Sequence, residues 1–175
     1  MDEAAIKNVN IHEGIDSTLL ILRHRLKAAS NRSEIEVIRD YDHNLPPVDC
    51  YPGQLNQVVM NILANAIDAV DDRAVNGDEP TYRPQIVLRT GCIGDDWLEI
   101  AVSDNGPGMP DAVQSRIFDP FFTTKAVGKG TGMGMSISYQ IIVEKHQGKL
   151  AVHSRLNEGT EFTIAIPLRQ PDKTK

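Results

Sequence analysis

Two asparagines one helical turn apart are the first residues in the chain whose type and spacing suit a chemical role. Asn61 and Asn65 lie within Leu55–Val70, where apolar residues recur at intervals of three and four, as on the buried face of an amphipathic helix. Asp68 falls on the same side of that helix as the two asparagines. Two carboxamides and a carboxylate in a row can hold a hydrated cation, although a solvated polar face is the ordinary alternative for such a helix.

Three further polar motifs follow in chain order. They are Asp104-Asn105-Gly106-Pro107-Gly108-Met109, Phe118-Asp119-Pro120-Phe121-Phe122 and Gly128-Lys129-Gly130-Thr131-Gly132-Met133-Gly134. An aspartate at a strand end, beside glycines that let a ligand approach the backbone, can accept a hydrogen bond from an exocyclic amine. The last motif leads into a helix, so its backbone N–H groups can meet an anion at the positive helix end. Taken one at a time, such motifs also occur as turns and flexible linkers.

The elements that must position these motifs are helices and strand pairs. Apolar periodicity predicts a helix from a cap at Asn10 to residues 29–31, and helices over 55–70, 111–118 and 133–147. Alternating and β-branched stretches predict strands over 34–40, 48–51, 85–90, 97–103, 149–153 and 161–168. Residues 71–84 are predicted to be a loop or a lost helix end. Because hairpins replace strict βαβ alternation, we expect a mixed sheet with helices on one face.

The bulk composition restricts the class of protein. A chain of 175 residues with 41% hydrophobic residues suits one globular domain. A net charge of −6 without a Lys/Arg cluster argues against nucleic-acid binding. Cys50 and Cys92 have no close cysteine or histidine partner, which argues against a zinc site or a disulfide framework. No apolar run spans a membrane and no signal peptide is present, so we expect a cytoplasmic domain without membrane contact.

Together the four motifs resemble the ATP-binding domain of sensor histidine kinases, within the superfamily of gyrase, Hsp90, histidine kinases and MutL. The resemblance spans residues 10–168; residues 1–9 are predicted as a linker remnant and residues 169–175 as a polar tail. It implies an α+β fold of the Bergerat type, a two-layer α/β sandwich with a mixed, mostly antiparallel sheet and helices on one face. It also implies ATP and Mg²⁺ as cofactors.

The resemblance implies a role for each motif residue. Asn65 is expected to bind Mg²⁺ through its side-chain oxygen, and Asn61 to support it or to contact phosphate. Asp104 is expected to bind the adenine amino group, while Gly106 and Gly108 keep the base pocket open. The other residues expected to bind the nucleotide are Asp68, Met109, Phe118, Phe121, Lys129, Gly130, Thr131, Gly132, Met133 and Gly134.

The phenylalanines and the glycine-rich stretch are similar to the hinge and lid that cover ATP in this family. Phe118, Phe121 and Phe122 correspond to the phenylalanine motif at the lid hinge. Lys125 and Lys129 lie in the lid and are expected to approach the phosphates as point charges. Together with Asn61, these two lysines are the expected catalytic residues.

The residue one turn before Asn65 separates phosphotransfer from hydrolysis. Superfamily members that hydrolyse ATP are expected to carry a glutamate base there, whereas this chain has Asn61, an amide that cannot take a proton from water. The resemblance therefore implies in-line transfer of the γ-phosphoryl group to an imidazole nitrogen. A P-loop is excluded because Lys129 is followed by Gly130.

Two positions depart from the family pattern, which often has a lysine and then an aromatic residue three and four positions after the Mg²⁺-binding asparagine. This chain has Asp68 and Ala69 there. Asp68 either joins the hydration shell of the metal or is a solvated helix residue. The residue that stacks on adenine is left open, and the phosphate contact of the missing lysine is expected from Arg73 or the lid lysines.

None of the five histidines has the sequence setting of the family's phosphoacceptor; His12-Glu13, for example, lies at a helix cap. We therefore expect an excised catalytic domain that binds ATP·Mg²⁺ weakly and does not autophosphorylate alone. The implied partners are a dimerising phosphoacceptor helical hairpin and a response regulator. The alternatives are a protein-serine kinase of the anti-sigma or dehydrogenase-kinase type, a gyrase- or MutL-type hydrolase or clamp, and a degenerate module that only binds protein.

Overall fold

The computed structural model describes residues 5–122 and 134–170 of the chain. Its helices are α1 (Ile11–Ile21), α2 (Arg23–Leu26), α3 (Pro52–Asn76), α4 (Asp111–Gln114) and α5 (Gly134–Gln140), and α5 continues as a π-helical turn, Ile141–Lys145. Its strands are β1 (Lys7–Val9), β2 (Glu36–Asp40), β3 (Val48–Cys50), β4 (Gln85–Ile93), β5 (Trp97–Asp104), β6 (Lys149–Arg155) and β7 (Gly159–Pro167). No helix within these ranges is both long enough and apolar enough to cross a bilayer.

Five strands form one sheet in the order β2-β4-β5-β7-β6. β2 runs parallel to β4, and every other neighbouring pair in this sheet is antiparallel. One face of β5 and β7 is buried: α3 packs over β5, and the π-helical turn packs over β7. Helices α1 and α5 pack against α3 in the same core. The predicted α+β sandwich with a mixed, mostly antiparallel sheet and helices on one face is confirmed.

Helix α3 is the central element of the core. The eight apolar positions predicted to share one face are all buried: Leu55, Val58, Val59, Ile62, Leu63, Ala66, Ile67 and Val70. Burial of each larger side chain stabilises the fold by about 1.5–3 kcal/mol. Because this face is fixed against the sheet, the opposite rim of α3, with Asn65 and Asp68, lies along the side of a cleft.

The largest differences between predicted and observed boundaries lie in three helices. α3 continues to Asn76, six residues beyond Val70, because ion pairs of its last polar residues replace apolar periodicity there. The predicted first helix is interrupted at Leu22 and ends at Leu26. The predicted helix from Asp111 shortens to Asp111–Gln114 and is followed by turns.

Lys7–Val9 form a strand, where the sequence predicts a linking segment. β1 pairs antiparallel with β3, and the Asn8 side chain donates a hydrogen bond to Asp49 (Nδ2–Oδ1 2.8 Å). Three residues with one apolar side chain contain no periodicity, so the partner strand determines this conformation rather than the local sequence. The position of the domain's N-terminal boundary remains a prediction.

Candidate functional site

A cleft of about 890 Å³ lies between the rim of α3, the loop after β5 and the start of β7. Five of the residues predicted to bind the nucleotide or its metal line it: Asn65, Asp68, Asp104, Gly108 and Met109. They come from elements far apart in sequence that the sheet and α3 bring together. The lining also includes residues that sequence reasoning did not assign to the site, namely Arg25, Asp71, Asp72, Val113, Ile117, Thr160 and Phe162.

Asp104 is the buried carboxylate of the cleft. It is the last residue of β5, pairs with Thr160 of β7 and is 9% exposed. Its Oδ1 accepts a hydrogen bond from the backbone N–H of Gly106 at 2.8 Å. Burial raises the pKa of Asp104 to about 6, against the opposing effect of backbone hydrogen bonds from Gly106 and Thr160. A buried acceptor of this kind suits a ligand N–H donor.

The two glycines of the loop after β5 allow close packing. A Cβ atom on Gly106 would lie 2.7 Å from the Cβ of Ala69, so the loop sits directly on α3 only because both residues are small. Gly108 has φ +74°, and a Cβ there would lie 2.0 Å from the carbonyl oxygen of Arg155. The methyl group of Ala69 therefore leaves room for Gly106. It is too small to stack on a ring in the cleft.

Asn105, whose side chain the sequence assigns to no role beyond a turn, anchors the loop. Its Oδ1 accepts hydrogen bonds from the backbone N–H of Gln85 (2.8 Å) and from the hydroxyl of Tyr82 (3.1 Å). Its Nδ2 donates to the carbonyl of Arg83 at 2.8 Å. The Asn105 side chain therefore connects the end of β5 to the segment that leads into β4. These bonds hold the backbone next to Asp104 without using groups that line the cleft.

Arg73 also holds this loop. One of its nitrogens, Nη1, donates to the carbonyls of Asn105 (3.0 Å), Gly106 (3.2 Å) and Asn157 (3.1 Å). Its Nη2 bonds to Glu79 at 2.9 Å, and its guanidinium lies over the ring of Tyr82. Arg73 was a predicted source of the phosphate contact, but these partners occupy it at the opposite side of the loop.

Asn61 connects α3 to the beginning of α5. Its Nδ2 donates to the carbonyl of Gly134 (3.2 Å) and to the hydroxyl of Ser138 (3.1 Å). Gly134 is the last residue of the glycine-rich motif and its first described residue. Asn65, one turn later, faces the cleft. A contact of Asn61 with phosphate or metal remains a prediction, whereas its link to α5 is a structural finding.

Asp68 is ion-paired. Its Oδ1 accepts a bond from Nη2 of Arg25 at 2.6 Å, and the same nitrogen lies 3.4 Å from Asp71. Asp71 is also bonded to the buried side chain of Arg32. Asp68 is therefore a partly exposed, ion-paired residue, and its place in a metal hydration shell stays a prediction.

The phenylalanine motif divides into packed and exposed members. Phe118 is partly buried, with ring centroids 5.4 Å from Tyr139 and 6.4 Å from Phe162. Phe121 is 75% exposed and has φ +63°. The predicted contacts Lys125, Lys129, Gly130, Thr131, Gly132 and Met133 lie outside the described residues, and their roles remain predictions.

Known proteins are similar to this chain in sequence and in fold. Residues 50–170 match the family of histidine kinase-, DNA gyrase B- and HSP90-like ATPases. The chain is 37% identical over 145 residues to sporulation kinase E of Bacillus subtilis, and the match covers 83% of this chain and 18% of the kinase. It is 33% identical over 162 residues to the signal transduction histidine-protein kinase AtoS of Escherichia coli, covering 93% of this chain and 24% of AtoS.

A solved structure supports the same relationship. The catalytic domain of histidine kinase ThkA superposes with a TM-score of 0.73 at 26% sequence identity, covering 94% of this chain and 98% of that domain. The chain thus spans about a fifth of the length of the two curated relatives but nearly all of a solved catalytic domain. The chain belongs to the histidine kinase-, DNA gyrase B- and HSP90-like ATPase family, as the catalytic ATP-binding domain of a sensor histidine kinase.

Proposed function

We propose that this domain binds ATP with Mg²⁺ in the cleft and supplies the γ-phosphoryl group to a histidine on a separate phosphoacceptor hairpin. The proposal depends mainly on Asp104, a buried carboxylate that lines the cleft. Asn65, on the rim of α3, lines the same cleft. A buried acceptor gains most from a ligand that donates a hydrogen bond, as the amino group of adenine does.

The walls near Asp104 suit the faces of a purine. Met109, Ile117 and Phe162 contribute apolar surface to the same cleft. The backbone of Met109 is held in place, because its N–H donates to Ser154 (2.8 Å) and its carbonyl accepts from Gln114 (3.0 Å). These residues supply the apolar contact for adenine that Ala69 is too small to make.

Asn65 has the right chemistry for Mg²⁺. This ion prefers oxygen ligands, and at nucleotide sites it is bound by one or two protein groups together with phosphate oxygens and water. A carboxamide side chain that lines the cleft fits that pattern. When bound, the ion would neutralise charge on the phosphates during transfer.

Asn61 supports transfer rather than hydrolysis. Its amide donates to Gly134 and Ser138, and an amide has no basicity with which to activate water. The chain's own contribution to the transfer would then be to position the nucleotide and to exclude an attacking water. The acceptor imidazole would come from the hairpin, and Lys125 and Lys129 remain the proposed phosphate contacts of the lid.

The proposed partners are the phosphoacceptor hairpin of a longer kinase and a response regulator. Full-length relatives such as AtoS are named histidine-protein kinases, and this chain covers less than a quarter of AtoS. ThkA, whose catalytic domain shares this fold, has been solved in complex with the response regulator TrrA. The cytoplasmic location expected from the sequence remains a prediction.

Labelled ATP tests the proposal. We expect the chain alone to acquire no label, and a supplied histidine hairpin to acquire a label that is labile to acid and stable to base. An acid-stable label on a serine peptide would instead identify a protein-serine kinase of the same fold. An acid-labile, base-stable label on the chain alone would contradict the separation of acceptor and catalytic domain.

The variant Asn65→Ala tests whether Asn65 binds Mg²⁺. We expect ATP affinity to become independent of Mg²⁺, because the side-chain oxygen proposed to bind the ion is gone. Calorimetric titration with ATP, in Mg²⁺ and again in a chelator, measures the ratio of the two affinities. A ratio equal to that of the wild-type chain would exclude Asn65 as the metal ligand.

A further inference from the structure

Among the charged residues that line the cleft proposed to bind a polyanion, acidic side chains predominate. Asp68, Asp71, Asp72 and Asp104 all contribute to its surface. Among the described residues of the lining, Arg25 alone carries a positive charge. Arg25 is therefore the positive group of the described lining that can attract the phosphates of a nucleotide, alongside the proposed Mg²⁺ and lid lysines.

Arg25 reaches the cleft from α2 and is oriented by two carboxylates of α3. Its Nη2 lies 2.6 Å from Asp68 and 3.4 Å from Asp71. Both contacts use the same nitrogen, whereas a guanidinium carries N–H donors on three nitrogens. The side chain is 43% exposed and lines the cleft.

A second arginine makes this arrangement rigid. The side chain of Arg32 is 5% exposed, bonds to Asp71 and donates to the carbonyls of Lys27 (2.8 Å), Ser33 (3.1 Å) and Arg25 itself. Arg32 therefore fixes both the backbone of Arg25 and one of the carboxylates that orient its guanidinium. A pre-oriented side chain loses little conformational entropy when it binds a ligand.

We infer that Arg25 binds the phosphate chain of the nucleotide directly, with Asp68 and Asp71 orienting its guanidinium. This inference rests on the proposed function, since it assumes that ATP occupies the cleft. Arg25 lies beside Asp68, three residues along α3 from the proposed metal ligand Asn65, which places it near the phosphates. The planar guanidinium fork matches phosphate oxygens.

Calorimetric titration of Arg25→Gln with ATP and with adenosine tests the inference. We expect ATP affinity to fall about tenfold or more and adenosine affinity to change by less than about twofold, because only ATP has phosphates to lose a charged hydrogen bond. Arg39→Gln is the matched control: Arg39 is 48% exposed, pairs with Asp16 at 3.1 Å and lies on β2 away from the cleft. We expect no change in either affinity for this control.

A double variant separates a direct contact from simple neutralisation of Asp68. If Arg25 only offsets the repulsion of that carboxylate, Arg25→Gln/Asp68→Asn would regain the full ATP affinity and overturn the inference. We expect the double variant to remain well below the wild-type chain. Arg25→Lys, which keeps the charge without the fork, is expected to have an intermediate affinity.

The same titrations distinguish a wrong inference from a wrong proposed function. An equal loss for ATP and adenosine in Arg25→Gln would indicate damage to the fold and overturn the inference, and thermal unfolding of the same sample would show it. Unchanged ATP affinity in Arg25→Gln, with normal binding by the wild-type chain, would overturn it as well. Absence of ATP binding in the wild-type chain would instead refute the proposed function.

Discussion

The two ends of the cleft are built by different physical means. At the end proposed to bind adenine (the base end), Asp104 is buried, and Asn105 and Arg73 hold the loop behind it through backbone groups. At the end proposed to bind the phosphates (the phosphate end), Asp68 and Arg25 form a partly exposed ion pair on the rim of α3. Buried hydrogen-bond networks are costly to break, whereas exposed pairs contribute little to folding. We therefore expect mutations at the base end to affect folding and binding together, and mutations at the phosphate end to affect binding alone.

The variant Asp104→Asn should have the largest effect on affinity. It keeps the size of the side chain, but it removes the charged acceptor proposed for the adenine amino group. We expect affinity for both ATP and adenosine to fall about a hundredfold, equivalent to about 2.7 kcal/mol. Titration calorimetry with both ligands measures this loss, and a selective loss for ATP would place the residue at the phosphate end instead.

The same variant is expected to be more stable than the wild-type chain at pH 7. Burial raises the pKa of Asp104 to about 6, so the folded protein holds this charge at a cost of about 3 kcal/mol at most. An uncharged amide avoids that cost, and a higher thermal midpoint is the expected result. A lower midpoint would indicate that the carboxylate stabilises the loop.

The variant Arg73→Ala tests the base end from outside the cleft. Its side chain is 16% exposed and bonds to three backbone carbonyls, which would lose their donor. We expect a loss of about 2 kcal/mol in the free energy of unfolding and equal losses of affinity for ATP and adenosine. Chemical denaturation measures the change in the free energy of unfolding, and calorimetric titration measures the two affinities.

Arg73→Ala and Arg25→Gln together sharpen the comparison. Both remove one arginine, but only the first is expected to lower stability and adenosine affinity. If Arg73→Ala weakened ATP binding without changing adenosine binding or stability, Arg73 would be a phosphate contact after all. The assignment of the two ends would then have to be exchanged.

The residues that sequence reasoning found share a local signal. The eight buried positions of α3 follow from helical periodicity, and Asp104 stands out because glycines and prolines follow it directly. Asn65 was found because a helix places it in line with Asn61 and Asp68. In each case the pattern that predicts the position of the residue lies within a few neighbouring residues, so it can be recognised from the sequence alone.

Sequence reasoning missed the place of Arg25 in the cleft and the backbone contacts of Arg73, because both depend on contacts between distant segments. Arg25 and Asp68 are 43 residues apart, and Arg73 reaches Asn157 across 84 residues. Nothing in the sequence near Arg25 distinguishes it from the exposed arginine Arg39. Only the packing of α2 beside α3 shows that one arginine lines the cleft and the other does not.

The pH dependence of adenosine binding is the smallest expected effect and depends on Asp104 alone. Adenosine is the suitable ligand because, unlike ATP, it has no phosphate that titrates in this range. With a pKa of about 6, the Asp104 carboxylate is mostly ionised at pH 7 and mostly protonated at pH 5. We expect affinity to fall about tenfold from pH 7 to pH 5, because a protonated carboxyl is a poorer acceptor.

Stability should change in the opposite direction over a similar range. The pKa of Asp104 is raised in the folded protein, so its protonated form favours folding, and this contribution is lost as pH rises from about 4 to about 6. Asp104→Asn is the control for both measurements, because it removes this titration and leaves the five histidines in place. If the pH dependence of adenosine binding persisted in Asp104→Asn, another group would be responsible, and the buried carboxylate would lose its assigned place at the base end.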